Sequence, residues 1–200
     1  MKVVPEAYSN QFRRTIDSYS VVTDASFAKL LALLRCQSVP RGNFLVQTGQ
    51  TARNFYFVCE GILASLLINQ QGAAHIKNFF IAGNFAGSTV SLLQASPSAF
   101  GLQAIVESII LVVDYRQYKQ LICENSDLTN FYIAYLERNW VINNEKRQLA
   151  FATQTATERY LTFLDDYPDL EKQVLQLHIA SYLGITPTQL SRIRKGLNLI

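Results

Sequence analysis

The stretch from Ile179 to Gly196, IASYLGITPTQLSRIRKG, decides how the rest of the chain is read. It sets two short, apolar-striped segments on either side of a glycine. Ile179 and Leu183 give the first segment an inward face. Ala180 is small where a second helix would cross, and Gly184 suits a turn that needs unusual dihedrals. Ile185 plugs the core beneath that turn, and Leu190 and Ile193 bury the second segment. Thr186 is a natural N-cap, with Pro187 at the first helical position and Gln189 at the spacing of a Thr-x-x-Gln capping box. Two short helices, a sharp start and a tight turn are the geometric requirements of a helix-turn-helix.

What the second helix leaves outside carries the chemistry. Thr188, Ser191, Arg192 and Lys195 share the face opposite Leu190 and Ile193 and project outward. Arg192 can bond bidentately to guanine O6 and N7 in a major groove, and Thr188 and Ser191 can reach a base edge or a phosphate. Arg194 and Lys195 suit backbone phosphates, which give affinity without sequence information. Gln189 is divided between reading adenine and closing the capping box, and the spacing favours the cap. The charge distribution agrees. Met1 to Leu170 carries 14 cations and 14 anions, whereas Glu171 to Ile200 carries Lys172, Arg192, Arg194 and Lys195 against Glu171 alone. The chain's net +3 therefore lies in its last thirty residues, the electrostatic footprint of a surface that faces phosphates. The expected partner is double-stranded DNA.

Moving upstream, TATERYLTFLDDYP begins a unit in which Thr155 and Glu158 form a capping box, Tyr160, Leu161 and Leu164 make an apolar side, and Pro168 is the stop. The segment from Gln154 to Thr157 is read as a domain boundary. Before it, SDLTNFYIAYLERNWVINNEKRQLAF holds neither Gly nor Pro, opens on Asn125 or Ser126 as cap, and spaces Leu128, Tyr135, Ile142 and Leu149 seven residues apart. A narrow seam along so long a helix suits a twofold mate better than the chain's own core, so a homodimer is expected. From Pro40 to Asp114 the texture changes to short apolar runs punctuated by Gly42, Gly49, Gly61, Gly72, Gly83 and Gly87, the pattern of an antiparallel sandwich or barrel. A helix capped by Thr23 and striped by Phe27, Leu30, Leu31 and Leu34 precedes that block and ends before Pro40. The expected fold class is α+β. An antiparallel, jelly-roll-like β-roll with flanking helices spans 1–124, a long dimerisation helix spans 125–153, and a helix-turn-helix domain spans 154–200.

The order of these parts resembles the Crp/Fnr superfamily of transcription regulators. The resemblance rests on FLVQTGQTARNFYFVCEGILASLL, on GNFAG from Gly83 to Gly87, and on ERYLTFLDDYP followed by HIASYLGITPTQLSRIRK. It implies a cyclic-nucleotide-binding β-roll, a dimer helix and a DNA-reading helix-turn-helix. It also implies a twofold-symmetric, palindromic operator, RNA polymerase as a further partner, and a small-molecule effector held by Gly83, Phe85, Gly87, Ser88, Ser98 and Ala99. The family holds the ribose with a Glu and the cyclic phosphate with an Arg about ten residues on. Here Ser88 stands at the first position, and Ser98 or Ala99 at the second. No Arg lies between Arg53 and Arg116, and no Asp or Glu between Glu60 and Glu107. A buried phosphate without a cation is costly, so control by cyclic AMP in the family's manner is not expected. Lys77 and His75 are the cations of that span and read as solvated loop residues. The pocket is left to a neutral or apolar molecule, or to none. Family members often continue past the recognition helix into a β-hairpin wing, whereas this sequence reads only to Ile200, so wing contacts are expected to be missing.

Other classes fit less well. No segment has the h-region of a secretory signal or the roughly 18 apolar residues of a membrane span, which points to the cytoplasm and to no membrane partner. Cys36, Cys59 and Cys123 are too few and too scattered for a disulfide framework, a metal site or an iron–sulfur cluster, and read as buried free thiols with no cofactor. An enzyme would need ligands or a nucleophile set. His75 and His178 lie in different domains, His178 reading as structural, and no Gly-x-Ser-x-Gly elbow is present, so no catalytic or metal-ligating residue is assigned. The alternative is a sensing or protein-interaction module that no longer binds DNA specifically. It would place acidic or apolar residues on the outer face of the second helix, where Thr188, Ser191, Arg192 and Lys195 stand instead.

Overall fold

The computed structural model describes residues 4–68 and 74–197. Gly72, expected at a turn, falls outside them. Helices α1 (Glu6–Asp17) and α2 (Asp24–Leu33) lead into the roll. Its strands are β1 (Arg35–Val39), β2 (Phe44–Val46), β3 (Asn54–Glu60), β4 (Leu63–Ile68), β5 (Ala74–Phe80), β6 (Phe85–Ala86), β7 (Gly101–Ala104) and β8 (Ser108–Asp114), with helix α3 (Thr89–Gln94) between β6 and β7. Two antiparallel sheets result, ordered β1-β8-β3-β6 and β2-β7-β4-β5. Helices α4 (Tyr115–Glu124) and α5 (Ser126–Leu136) follow, then a π-helical stretch at Glu137–Ile142 and α6 (Asn143–Thr153). The C-terminal unit comprises α7 (Ala156–Asp166), α8 (Leu170–Gln173), α9 (Gln176–Leu183) and α10 (Pro187–Gly196). The α+β class, with an antiparallel roll, a long helix and terminal helices, is the class expected from the sequence.

Each sheet carries helices on its outer face. Phe12 and Ile16 of α1, Tyr118 of α4, and Leu128, Phe131 and Tyr135 of α5 pack on the sheet containing β3. Aromatic rings fill this core: Phe12 meets Phe57 edge-on at 5.0 Å, and Phe85 stacks on Phe55 at 5.7 Å. Helices cover one side and the second sheet the other, so β3 is buried continuously from Phe55 to Cys59 instead of alternating. On the opposite side, Ala64, Leu66, Ile76 and Phe79 of the second sheet join Tyr160, Phe163, Ile179, Ala180, Leu183 and Leu190 in one apolar cluster. The roll is thus flanked on one side by its own helices and on the other by the helix-turn-helix. Gly61 makes the β3–β4 turn possible: its φ is +84°, and a β-carbon there would lie 2.4 Å from the Glu107 carbonyl oxygen.

Three expectations need correction. The helix capped by Thr23 stops at Leu33, because Arg35–Val39 pairs antiparallel with β8 from Arg35 opposite Val112 to Val39 opposite Ser108. Pairing satisfies the backbone of both strands, a tertiary gain that helical periodicity cannot register. The three cysteines differ in burial: Cys59 is buried, Cys36 half-buried and Cys123 exposed. The seam of Leu128, Tyr135, Ile142 and Leu149 does not stay on one face. Leu128 and Tyr135 are 0% and 6% exposed in the chain's own core, while Ile142 and Leu149 are 48% and 57% exposed. The π-helical stretch lies between the two pairs, and its wider turn shifts the helical phase, so a seven-residue spacing crosses from core to solvent.

Asp127 clamps the two helical layers of the roll. It accepts hydrogen bonds from the Thr23 backbone N–H at 2.9 Å, the Thr23 hydroxyl at 2.8 Å, the Ser26 hydroxyl at 2.9 Å and the Leu128 N–H at 2.9 Å. Burial alone would raise its pKa, but these bonds outweigh it and bring the carboxyl from 3.8 to about 2. A carboxylate held low contributes stability that is complete above its unfolded value and is lost as pH falls through the folded one. Asp127→Asn should therefore lower stability at neutral pH and flatten the acid limb between about pH 4 and pH 2, read by urea unfolding across that range.

Candidate nucleic-acid interface and effector cassette

The helix-turn-helix is α9, Gly184 and α10. Gly184 sits in the left-handed region with φ 69° and ψ 32°, a conformation that disfavours any residue with a β-carbon. Ile179, Ala180, Leu183 and Leu190 are buried, and Ile185 and Ile193 pack half-buried against them. Thr186 Oγ1 accepts from the Gln189 N–H at 3.2 Å, and Gln189 Oε1 accepts from the Thr186 N–H at 2.9 Å. That reciprocal box fixes the first turn of α10, with Pro187 at its start. It also engages Gln189 Oε1 in the cap, where the Thr186 N–H and hydroxyl donate to it. Thr188, Ser191, Arg192 and Lys195 are exposed.

Arg194 is a correction. Its side chain is 13% exposed and its Nε lies 2.7 Å from Glu171 Oε1 on α8, so it is an internal ion-pair partner and not a phosphate contact. Tyr160 donates to the same carboxylate at 2.8 Å, and burial together with Glu171 pushes the phenol up to about 12. The signal for this pair was present in the sequence, since Glu171 is the one anion of the basic tail. Lys172 is likewise paired, with Asp169 at 2.5 Å. Among the described residues of the tail, the cations without an ion pair are Arg192 and Lys195, both on the outer face of α10.

Several positioning residues escaped the sequence reading. The Ser181 hydroxyl accepts from the Ile76 N–H at 2.9 Å and donates to the Ala74 carbonyl at 3.2 Å, which ties α9 to β5. Arg147 of α6 donates to Asn78 Oδ1 and, at 2.7 Å, to the Lys77 carbonyl. Arg159 donates through Nε and Nη2 to the Leu183 carbonyl at 3.3 and 3.2 Å, capping the end of α9, and through Nη1 to the Gln154 carbonyl at 2.7 Å. The available signal was architectural: β5 is a sheet edge, and an edge calls for cover.

The cassette residues are dispersed. Gly83 turns the chain with φ +88°, whereas Phe85 points into the aromatic core, 5.2 Å from the Tyr135 ring, where it lines a small internal cavity with Phe12, Phe55 and Tyr118. A β-carbon on Gly87 would lie 2.9 Å from Phe55. Ser88 and Ser98 are 1% and 2% exposed, and their hydroxyls bond each other at 2.7 Å, with Ser98 Oγ also 2.7 Å from the Phe100 carbonyl oxygen. Ala99 is exposed. The two positions assigned to the missing Glu and Arg are thus joined to one another. Lys77 and His75 lie on β5 and not in a loop, with the Lys77 ammonium 4.6 Å from the centroid of the Phe100 ring. His178, in the first turn of α9, is half-buried, and burial and the nearby Arg41 lower its pKa, which favours the neutral ring. Among the described residues, no group of three or more His, Cys, Asp or Glu side chains could hold a metal, and no helix is long and apolar enough to cross a membrane.

Comparison with known proteins agrees with this architecture. Residues 36–125 match the cyclic nucleotide-binding domain family. The cAMP-activated global transcriptional regulator CRP of Escherichia coli is 22% identical over 184 residues, 88% of each chain. The fumarate and nitrate reduction regulatory protein of Vibrio cholerae is 24% identical over 170 residues, 80% of this chain and 67% of that protein. The structure of FixK2 from Bradyrhizobium japonicum superposes with a TM-score of 0.69 at 20% identity, covering 83% of this chain and 85% of that one, a likeness of fold. Residues 36–125 thus resemble a cyclic nucleotide-binding domain, and α9 and α10 follow them in the chain. The chain is similar to regulators of the Crp/Fnr type, and the relatives named are transcription regulators.

The Arg194 assignment separates two arginines that are two residues apart. Arg194→Ala should destabilise the fold by about 1–3 kcal/mol, because it leaves Glu171 half-buried without its cation. Arg192→Ala should change stability by less than about 0.5 kcal/mol. Urea unfolding of both variants checks this, and equal losses would contradict the ion-pair role.

Proposed function

We propose that the chain is a homodimeric, sequence-specific DNA-binding transcription regulator whose DNA-reading state does not depend on cyclic AMP. The observation that carries the DNA reading is the outer face of α10. Arg192 and Lys195 are its unpaired cations, Thr188 and Ser191 lie beside them, and the capping box holds the helix start. Arg192 reads guanine, Thr188 and Ser191 meet base edges or phosphates, and Lys195 meets phosphate. Arg194 and Gln189 hold the helix in place. Dimerisation through the long helix is supported by Ile133, Val141, Ile142 and Leu149, 47–60% exposed along one continuous element. This face takes over from the four-residue seam read in the sequence. A twofold mate then sets two α10 helices about one DNA turn apart on a palindromic operator.

Independence from cyclic AMP is supported by the Ser88–Ser98 pair. A cyclic nucleotide there would have to break a buried hydrogen bond and bury its phosphate where neither a guanidinium nor a carboxylate meets it. The E. coli relative is cAMP-activated, so this chain would have kept the relative's frame while losing its ligand chemistry.

Operator selection from a genomic fragment library supplies the DNA, and titrations then separate the roles. Arg192→Ala should relax preference at one base pair of each half-site at a cost of about 1–3 kcal/mol, and Lys195→Ala should weaken all sequences alike and lower the salt slope by about one. Leu149→Glu should shift the protein toward monomer in sedimentation and weaken binding to the twofold site. Binding with no sequence preference at physiological salt would overturn the reading.

Calorimetric titration with cyclic AMP and cyclic GMP should give no saturable heat up to about 1 mM, and micromolar binding of either would contradict it.

A further inference from the structure

Between the end of α6 and α7 lies a solvent-open cleft of about 50 Å³, lined by Arg147, Phe151, Gln154, Phe163, Asp166 and Tyr182, among others. That volume admits on the order of four water-sized groups, enough for a small polar head with its remainder at the mouth. The floor is aromatic, with the Phe163 and Tyr182 rings 5.7 Å apart, and Phe151 at the rim is 50% exposed. The polar groups are of mixed sign and incompletely used. Gln154 Oε1 is buried and accepts no hydrogen bond from the described residues. Arg147 directs one bond from each terminal nitrogen at the β5 edge, which leaves N–H donors of its five to spare. Asp166 forms no ion pair with the described residues; burial and the neighbouring Asp165 raise its pKa, an effect that Lys146 and Arg147 only partly offset.

These groups select against simple ligands. An anion alone would meet the Asp166 carboxylate, a cation alone would meet Arg147 and Arg159, and a purely apolar molecule would leave Gln154 Oε1 unpaired. A small molecule with both charges satisfies all of them.

We propose that the cleft binds a free α-amino acid with a small apolar side chain, its carboxylate toward Arg147, its ammonium toward Asp166 and Gln154 Oε1, and its side chain along Phe151. The site lies outside the cassette of the β-roll and does not depend on whether the chain binds DNA. Arg159 lines the same cleft and caps α9, so an occupant would touch the group that fixes the end of the first helix of the helix-turn-helix.

The test is calorimetric titration of the full chain, without DNA, using valine, isovalerate (which lacks the ammonium) and isobutylamine (which lacks the carboxylate). Valine should bind saturably, with the other two weaker by about tenfold or more. Asp166 is exposed in the last turn of α7, so Asp166→Asn should leave the thermal melt unchanged and weaken valine by about tenfold. Ala150→Trp, which fills the cleft from α6, should abolish binding. No saturation by about 10 mM valine would overturn the proposal. So would equal affinity for isovalerate or isobutylamine, or an affinity unchanged in both variants.

Discussion

The outer edge of β5 is the constraint around which the C-terminal half is arranged. An edge strand offers unpaired N–H and C=O groups that must be met by water or by protein. Here Ser181 meets the Ile76 amide and the Ala74 carbonyl, and Arg147 meets the Lys77 carbonyl. Both side chains come from helices that carry other duties: Ser181 lies in the first helix of the helix-turn-helix, and Arg147 lies in the long helix. The bonds at the edge therefore set how both helices sit on the roll. The apolar cluster of Phe79, Phe163 and Ile179 forms behind them.

Local features were legible in the sequence and distant ones were not. The Thr186–Gln189 box, the Gly184 turn and the burial of Leu190 depend on residues within a few positions of one another, so spacing alone carries them. The Thr155–Glu158 box is of the same kind. Arg194 and Glu171 stand on different helices, and charge counting recorded the total without the pairing. The seam of the long helix failed for another reason. A periodicity argument assumes one helical phase, and the π-helical stretch changes it midway. Arg35–Val39 likewise reads as either element until β8 is there to pair with it. The outer face of α10 was found as a set, apart from the removal of Arg194, because it depends on one helix and its cap.

The corner of the roll between β6 and α3 is closed by its own side chains. Gly83 turns there with a positive φ, and α3 follows Ser88. Ser88 and Ser98 satisfy each other there, both almost fully buried. Two short hydroxyls leave no buried charge uncompensated, so the site is stable without an occupant.

The Ser181 contact also limits how this molecule can change shape. Swinging α9 away from β5 would bare an edge next to Leu67 and Ile68, which are already exposed on the neighbouring strand. An uncovered apolar edge invites strand addition from other chains. Large hinge opening is therefore a route to aggregation as well as to a new orientation. A rearrangement that avoids this must keep a polar group against the Ile76 amide and the Ala74 carbonyl, so that the edge stays covered throughout.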